Sequence, residues 1–486
     1  MITTLTILAP LLGALLMLGL PATMEARTVR YAALAVAALP LALVVYIYLA
    51  YGPGLDAASL SQDVTWIEAL NIGYRVSLDG LGFGMFALSA LLTIIAVAAS
   101  WDVERSLRQY LALLFVAEAG MLGVFAAQDL VLFYVFFEVT LVPMYLMVGF
   151  WGDENRRAAA TKFFTFTFFG STVMLAGFLA FGIVGGSFAM EALQAGGGLS
   201  RVAQIAIAAP VLLGLLVKVP AVPLHGWLLD VYVASPTSTN VMLSGVLPKL
   251  GTYGLIKIAL PLLPQGVAPF LPYLAALGVL NILYGAFVAF AQTDLKALIA
   301  YSSIGTLGFI LLGVASANAL GLNGAVLQQV THGLYSALLF ILVGVIAART
   351  GTRRMSELGG LVGRMPWAGG LLALGALAAM GLPGLAVFVS EFMSIMGGYE
   401  AYPIFGLLAS LGILMSAVYM LFMLAKVIYG PLENPEFENI KDASRAEMVA
   451  VAPLAALLVV LGVFPGLLIA FQQPAVEAVI AAIGGL

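Results

Sequence analysis

The stretch GLLVKVPAVPLHGW, residues 214–227, sets a lysine, two prolines and a histidine inside a run otherwise apolar enough to cross a membrane. A charge at mid-bilayer costs about 2.5–3.5 kcal/mol by insertion measurements and more by simulation. Pro220 and Pro223 lack backbone N–H groups and end a helix, and irregular backbone at that depth is tolerated only against protein or a hydrated cavity. The stretch therefore reads as a broken membrane helix with a titratable group beside the break. That reading decides the fold.

Outward from it, the 486 residues are 63% hydrophobic and 9% charged, with a mean hydropathy of +1.09; soluble domains are about 45–50% apolar. The chain is read as an integral membrane protein, and its long uninterrupted runs select helices over short alternating barrel strands. The first twenty residues carry no basic leader and form too long an apolar run, so they read as an uncleaved first helix and not a signal peptide. Without cysteine there can be no disulfide, thiolate-held iron–sulfur cluster or cysteine zinc site. Two histidines give no expectation of a metal site. A net charge of −4 without a basic tract gives none of nucleic acid. Any redox chemistry served by this chain is expected on other chains.

Hydropathy predicts about fourteen spans, at 2–20, 29–51, 80–100, 109–126, 129–150, 158–185, 203–234, 237–260, 264–290, 295–315, 321–348, 366–396, 401–429 and 448–472. Arg27 and Arg30, Arg105 and Arg108, Arg156, Arg157 and Lys162, Lys296, Arg349, Arg353, Arg354 and Arg364, then Lys441 and Arg445 fall in alternate loops, which are read as cytoplasmic. The opposite loops hold Arg75 and Arg201, with Asp56, Asp63, Glu68 and Asp79 in the loop at 52–79. Both termini are then expected outside. The seventh span is interrupted by Pro220 and Pro223, and the twelfth by GLPG at 381–384, which holds Pro383. Broken helices five apart run in opposite directions, the sequence mark of inverted repeats with a site near the midplane. The expected organisation is an N-terminal unit at 1–108 with the external loop at 52–79, a first repeat of spans four to eight at 109–260, an inverted second repeat of spans nine to thirteen at 264–429, and a cytoplasmic loop with the last helix at 430–486.

Five ionisable residues fall deep in these spans. At the helical rise, Glu138 lies roughly 14 Å in, Lys218 roughly 22 Å, Lys249 roughly 18 Å and His332 roughly 17 Å, and Glu391 follows the break of the twelfth span. Ionisable groups at that depth are functional by default. A lysine between a carboxylate and a hydrated break can hold its proton when paired and release it when the partner moves, and a neutral imidazole can pass a proton between its two nitrogens. The bland alternatives are a fixed Glu138–Lys218 pair, a satisfied core histidine at 332 and a structural Glu391. His225 and Asp230, at the inner end of the seventh span, are candidates for uptake or gating. Lys257 and Lys296, near span ends, are expected to snorkel and stand outside the site. The glycines of GLGFG at 80–84 and the aromatic run KFFTFTFFG at 162–170 read as packing. The acidic loop ENPEFENIKDASRAEM at 433–448 reads as a solvated docking face.

FYVFFEVTLVPMYLMVGFWG at 133–152, VKVPAVPLHGWLLD at 217–230, AYSSIGTLGF at 300–309, THGLYSALLFILVGVI at 331–346 and GLPGLAVFVSEFM at 381–393 together closely resemble the antiporter-like M subunits of bacterial NADH:quinone oxidoreductase, respiratory complex I. The resemblance runs from about residue 75 to 470. It implies an all-α polytopic protein of about fourteen helices with two inverted five-helix repeats, moving protons under the drive of quinone reduction elsewhere in the complex. It also implies no cofactor on this chain; NADH, FMN, iron–sulfur clusters and quinone would belong to other subunits, with L-like and N-like antiporter subunits as neighbours in a bacterial plasma membrane. The family's functional positions fall on Glu138, Lys218, Lys249, His332 and Glu391; sibling subunits and Mrp-type antiporters usually carry lysine at the last. Three departures stand out: Gly305 and Thr306 where a histidine is usual, LLDVY at 228–232 for LPDAH, and Pro248 directly before Lys249. Alternatives are a subunit of an Mrp-type cation/proton antiporter or of a membrane-bound hydrogenase, and a structural membrane spacer with fixed charge pairs.

Overall fold

The computed structural model describes residues 1–55, 58–101, 103–432 and 434–484. Asp56 of the external loop and Glu433 at the head of the acidic loop lie outside the described residues. The helices are α1 (Ile2–Gly19), α2 (Ala26–Tyr51), α3 (Gly80–Ala98), α4 (Leu107–Ala126), α5 (Leu130–Val139), α6 (Leu141–Trp151), α7 (Arg156–Gly185), α8 (Arg201–Lys218), α9 (Leu228–Ala234), α10 (Thr237–Gly245) and α11 (Leu247–Gly254). They continue with α12 (Leu260–Leu262), α13 (Pro264–Val267), α14 (Leu271–Phe290), α15 (Leu295–Ala315), α16 (Ala319–Thr350), α17 (Pro366–Ala379), α18 (Ala386–Ala401), α19 (Pro403–Val427), α20 (Arg445–Val463) and α21 (Gly466–Ile483). Among the described residues thirteen helical stretches are long and apolar enough to cross a membrane.

Twelve of the fourteen expected spans overlap those stretches, the seventh and the last only in part. The other two are the eighth and twelfth, each of which runs in pieces. The eighth is divided at Val246 into α10 and α11, with a π-helical turn at Leu255–Ala259. The twelfth is α17 and α18, parted by a turn in which Gly381 and Gly384 take φ of 71° and 92°, backbone that glycine adopts without a steric penalty. The seventh span stops at Lys218 and resumes at Leu228.

The last expected span, 448–472, is corrected. The helix ends at Val463, since Pro465 cannot continue the hydrogen-bond ladder, and α21 follows as a separate helix. The Phe471 ring in α21 stacks 5.0 Å from Tyr48 and 4.9 Å from Phe83, and Gln472 Nε2 donates to the Asn323 carbonyl at 2.8 Å. Further along, Val479 borders the same cavity as Asp79 and Lys257. All of these partners lie at one end of the bundle, so α21 lies across that end.

The same end holds a two-stranded sheet, inside what the sequence left as a loop. Strands β1 (Gln62–Ile67) and β2 (Ile72–Val76) pair antiparallel, Gln62 opposite Val76 and Thr65 opposite Gly73. Asn71, at φ 51°, closes the turn. The alternation in QDVTWI carried this signal. The hairpin is stitched to the bundle by Gln128 N–H donating to the Arg75 carbonyl at 2.8 Å and by an Arg75–Asp129 ion pair at 2.9 Å. At the other, basic end, Asp442 accepts from the N–H groups of Trp367 and Ala368 at 2.8 and 3.1 Å, and Glu447 holds Arg349 at 2.5 and 2.7 Å. The acidic loop expected as a docking face thus turns two of its carboxylates onto its own chain.

Small residues let the spans approach. A Cβ on Gly308 of α15 would fall 2.4 Å from the Gly278 carbonyl oxygen of α14, and one on Gly333 of α16 would fall 2.7 Å from the Gly245 carbonyl oxygen of α10. The second approach brings the broken eighth span against the helix bearing His332.

Asp129 is fully buried and accepts from Arg75, from the Gly73 N–H at 3.2 Å and from the Val131 and Leu132 N–H groups at 3.0 and 3.3 Å. Asp129→Ala would leave three backbone donors without an acceptor, while Arg75 keeps Asp63 and Asn71 as partners. A loss of about 1–3 kcal/mol is expected. It would be read as a lowered thermal midpoint of the purified protein in detergent.

Candidate functional site

Lys218 is the last residue of α8 and Glu138 the penultimate residue of α5. The Lys218 ammonium lies over the Phe137 ring, 4.6 Å from its centroid, within the electrostatic reach of the Glu138 carboxylate. Glu138 Oε1 has no hydrogen-bond partner, and among the described residues no ion pair joins the two groups. The fixed pair offered by the sequence as a bland alternative is not what the geometry holds.

Beyond Lys218 the chain leaves the helix, and its backbone groups are taken up by side chains. Trp227 Nε1–H donates to the Val217 carbonyl at 3.0 Å. The Val222 N–H donates to Asn281 Oδ1 at 2.8 Å, while Asn281 Nδ2 reaches the Pro220 carbonyl at 3.5 Å. Asn281, fully buried in α14, is the residue that supports the break, and hydropathy passed over it. Its signal was a lone amide in an apolar span.

Lys249 sits in α11, fully buried. In an unbroken helix the N–H of residue 248 would donate to the Ser244 carbonyl; Pro248 has none. That carbonyl instead accepts from Lys249 Nζ at 2.5 Å. The departure at 248 therefore determines where the ammonium points. A Cβ on Gly251 would meet the Lys218 Cβ at 3.1 Å, so α11 and the end of α8 are in direct contact.

His332 lies mid-way along α16, fully buried, with neither ring nitrogen hydrogen-bonded. Lys249 acts on it electrostatically, and the Tyr335 ring meets it edge-on at 5.1 Å. Tyr335 and Thr306 hydroxyls are 2.6 Å apart, so Thr306 supplies a polar contact at the position of the departure noted in the sequence. On the same face of α16, Thr331 meets the Ser390 hydroxyl at 3.0 Å, Ser390 donates to Gln328 Oε1, and Gln328 Nε2 donates to Glu391 Oε1 at 3.5 Å. Glu391 Oε2 is unpartnered and faces the twelfth-span break, where a Cβ on Gly381 would fall 2.9 Å from it. Residues 328, 331, 332 and 335 follow the i, i+3, i+4, i+7 spacing of one helix face. That polar stripe was the signal for a network of which the sequence yielded only its ends.

His225 and Asp230 lie outside this row. His225 Nε2 is 3.1 Å from the Tyr284 hydroxyl, and Asp230 pairs with Lys162 at 2.8 Å on a half-exposed surface. Lys257 pairs with Asp79 at 2.6 Å. Burial raises the cost of ionising Asp79, but the Lys257 ammonium overrides it and holds the carboxyl below the usual range. Lys296 does not snorkel: it is 4% exposed, and its Nζ donates to the Ser235 carbonyl at 2.7 Å. The sequence reading also missed Glu118 in α4, which is fully buried with both carboxyl oxygens unpartnered. Its position eleven residues past Leu107 was the signal. Among the described residues no group of three or more acidic or histidine side chains could hold a metal ion.

The family model described as NADH:quinone oxidoreductase/Mrp antiporter, transmembrane, matches residues 127–416. The NADH-quinone oxidoreductase subunit M of Rickettsia typhi is 35% identical over 425 residues, covering 87% of this chain and 86% of its own. A chain of respiratory complex I from Thermus thermophilus superposes with a TM-score of 0.92 at 32% identity over the whole of both chains. A chain of the Mrp complex from Dietzia sp. gives 0.87 at 22% identity over 99% of each, which is a likeness of fold.

Replacing Asn281 by Leu removes the acceptor for the Val222 N–H and the donor for the Pro220 carbonyl. The expected cost is about 1–3 kcal/mol, read as a lower thermal midpoint of the detergent-solubilised protein. A midpoint equal to the parent's would show that the break does not depend on this amide.

Proposed function

We infer the function from one premise: the chain belongs to the NADH:quinone oxidoreductase/Mrp antiporter transmembrane family, among the antiporter-like M subunits of complex I. It is a proton-translocating subunit of the membrane arm, part of a hetero-oligomeric complex in a bacterial plasma membrane. It holds no redox site of its own; electrons pass from NADH through FMN and iron–sulfur clusters to quinone on other subunits, and that reduction drives the protons here. Spans four to eight and nine to thirteen form the two inverted repeats, the basic loops face the cytoplasm and both termini lie outside.

Glu138 couples the row to the neighbouring antiporter-like subunit, of the L or N kind. Lys218 loads from the cytoplasmic side, with His225 and Asp230 on the approach to it. Lys249 and His332 carry the proton laterally, and Glu391 hands it outward. One observation carries this reading: Lys218, Lys249, His332 and Glu391 are buried and Glu138 half-buried on neighbouring helices, four of which end or break beside them, and Glu138, His332 and Glu391 each keep an unpartnered polar atom. A group whose hydrogen bonds are all fixed cannot exchange a proton; these can. Thr331, Gln328 and Ser390 bridge the stretch between His332 and Glu391, and the Thr306–Tyr335 contact fills the place of the absent histidine.

The likeness of fold to the Mrp complex chain favours one rival, a cation/proton antiporter subunit. Glutamate at 391, where such subunits usually have lysine, argues against it. Sodium efflux by membranes carrying the chain, without NADH oxidation, would establish the rival.

Glu138→Gln keeps the side chain's size and removes its charge. In membranes containing the assembled complex, NADH-driven proton pumping is expected to be abolished. Full pumping in that variant would refute the role given to Glu138.

A further inference from the structure

The proposed relay takes up protons but leaves Lys296 without a part, although Lys296 is among the most deeply buried charges at the basic end. Its Nζ donates to the Ser235 carbonyl at 2.7 Å and lies 3.7 Å from Asp153 Oδ2. Asp153, half-exposed, also holds Arg353 at 2.9 Å, and Arg353 in turn reaches Asp294 at 3.3 Å. Lys296, Asp153 and Arg353, with Glu104, Arg105 and Thr237, border a cavity of about 460 Å³. Lys296 is thus a buried ammonium at the wall of a charged cavity.

Behind Ser235 runs α10, TSTNVMLSG, whose residues Ser238, Thr239, Asn240 and Ser244 are all buried. Most of these groups are satisfied, the Tyr110 hydroxyl meeting Ser238 and Thr239 at 2.6 and 2.8 Å and Asn240 Nδ2 donating to the Tyr232 carbonyl at 2.8 Å. On its one face Asn240 N–H donates to the Pro236 carbonyl and the Ser244 hydroxyl donates to the Asn240 carbonyl at 2.8 Å. Asn240 is fully buried, and its Oδ1 is unpartnered. At the far end the Ser244 carbonyl accepts from Lys249 Nζ. A lysine ammonium therefore grips a carbonyl at each end of α10, Lys296 on the cavity side and Lys249 within the row.

We propose that Lys296 is a loading station at which protons from the basic-end cavity join a feed along α10 to Lys249. The inference rests on the relay proposed above. An N–H bond at Lys296 breaks and one forms at Lys249 Nζ. Water held at Asn240 Oδ1 and the Ser244 hydroxyl each take one proton and give up another between them. The amine left at 296 is reprotonated from solvent on the Asp153 side. The bland alternative is an anchor, Lys296 tying the α9–α10 turn by capping the last carbonyls of α9.

Two variants separate these roles, each in the whole complex reconstituted in liposomes, with the membrane potential generated per NADH as the readout. Lys296→Arg keeps a cation that can donate to Ser235 and pair with Asp153 but does not give up its proton at working pH. The potential is expected to fall clearly below the parent's while staying above that of Glu138→Gln, because the Lys218 entry remains, whereas an anchor would leave it at the parent's level and overturn the proposal. Lys296→Ala opens room beside the cavity. Ethylammonium, which carries a transferable proton, is expected to restore the potential, and tetramethylammonium, which carries none, is not. Equal effects of the two cations, or none from either, would overturn the loading role. Should the alanine variant fail to assemble, the arginine variant decides. Normal potential in Lys296→Arg but not in Glu138→Gln would remove the loading station alone. Normal potential in both would remove the relay as well.

Discussion

Within hydrocarbon a backbone N–H or C=O released from a helix has no solvent to turn to, and each costs several kcal/mol unless a protein group takes it up. That constraint shapes the interior of this bundle. Three of the four breaks are sealed by identified side chains, Trp227 and Asn281 at the seventh span, the Lys249 ammonium at the eighth, and the Thr140 hydroxyl on the Phe137 carbonyl at 2.8 Å between α5 and α6, whereas in the twelfth the turn closes on backbone, the Gly381 N–H donating to the Ala378 carbonyl at 3.0 Å. Sealing and chemistry are therefore not separate tasks. The lysine that occupies the Ser244 carbonyl is one of the row's titratable groups, and Thr140 closes the helix end that carries Glu138.

The fold was largely legible because hydropathy over twenty residues is a strong signal and because prolines and glycines announce where it fails. The runs around Pro220, Pro223 and GLPG marked two of the broken spans. The eighth was read as continuous since its break at Val246 comes between two apolar residues and Pro248 counted only as a departure. The hairpin at 62–76 and the helix α21 escaped for a different reason: both lie at the bundle end, where membrane hydropathy is silent and six-residue alternation or an isolated Phe-Pro has to carry the signal.

For the site, the sequence singled out five ionisable groups, since charge in an apolar span is conspicuous, but passed over the buried Glu118 and almost all of the neutral groups that contact the five. Serine, threonine and glutamine are common enough in membrane helices that only their arrangement is informative. Gln328, Thr331 and Tyr335 share one face with His332, whereas Ser390 is brought to them by α18. Spacing on a single helix can reveal the first relationship. The second needs the packing of one helix on another.

That packing also explains why the row is not a set of ion pairs. A buried pair with ideal geometry would settle each proton on one partner, and breaking it would leave an uncompensated charge. Here Lys218 lies over an aromatic face, Lys249 donates to a carbonyl, and Glu391 accepts through an amide. Each contact is weaker for a charged group than a direct counter-ion would be, which is what the proposed relay asks of groups that exchange protons. In that proposal the unpartnered atoms of Glu138, His332, Glu391 and Asn240 belong to groups that must be able to take a new partner, and the fixed bonds fall on the backbone, which must not.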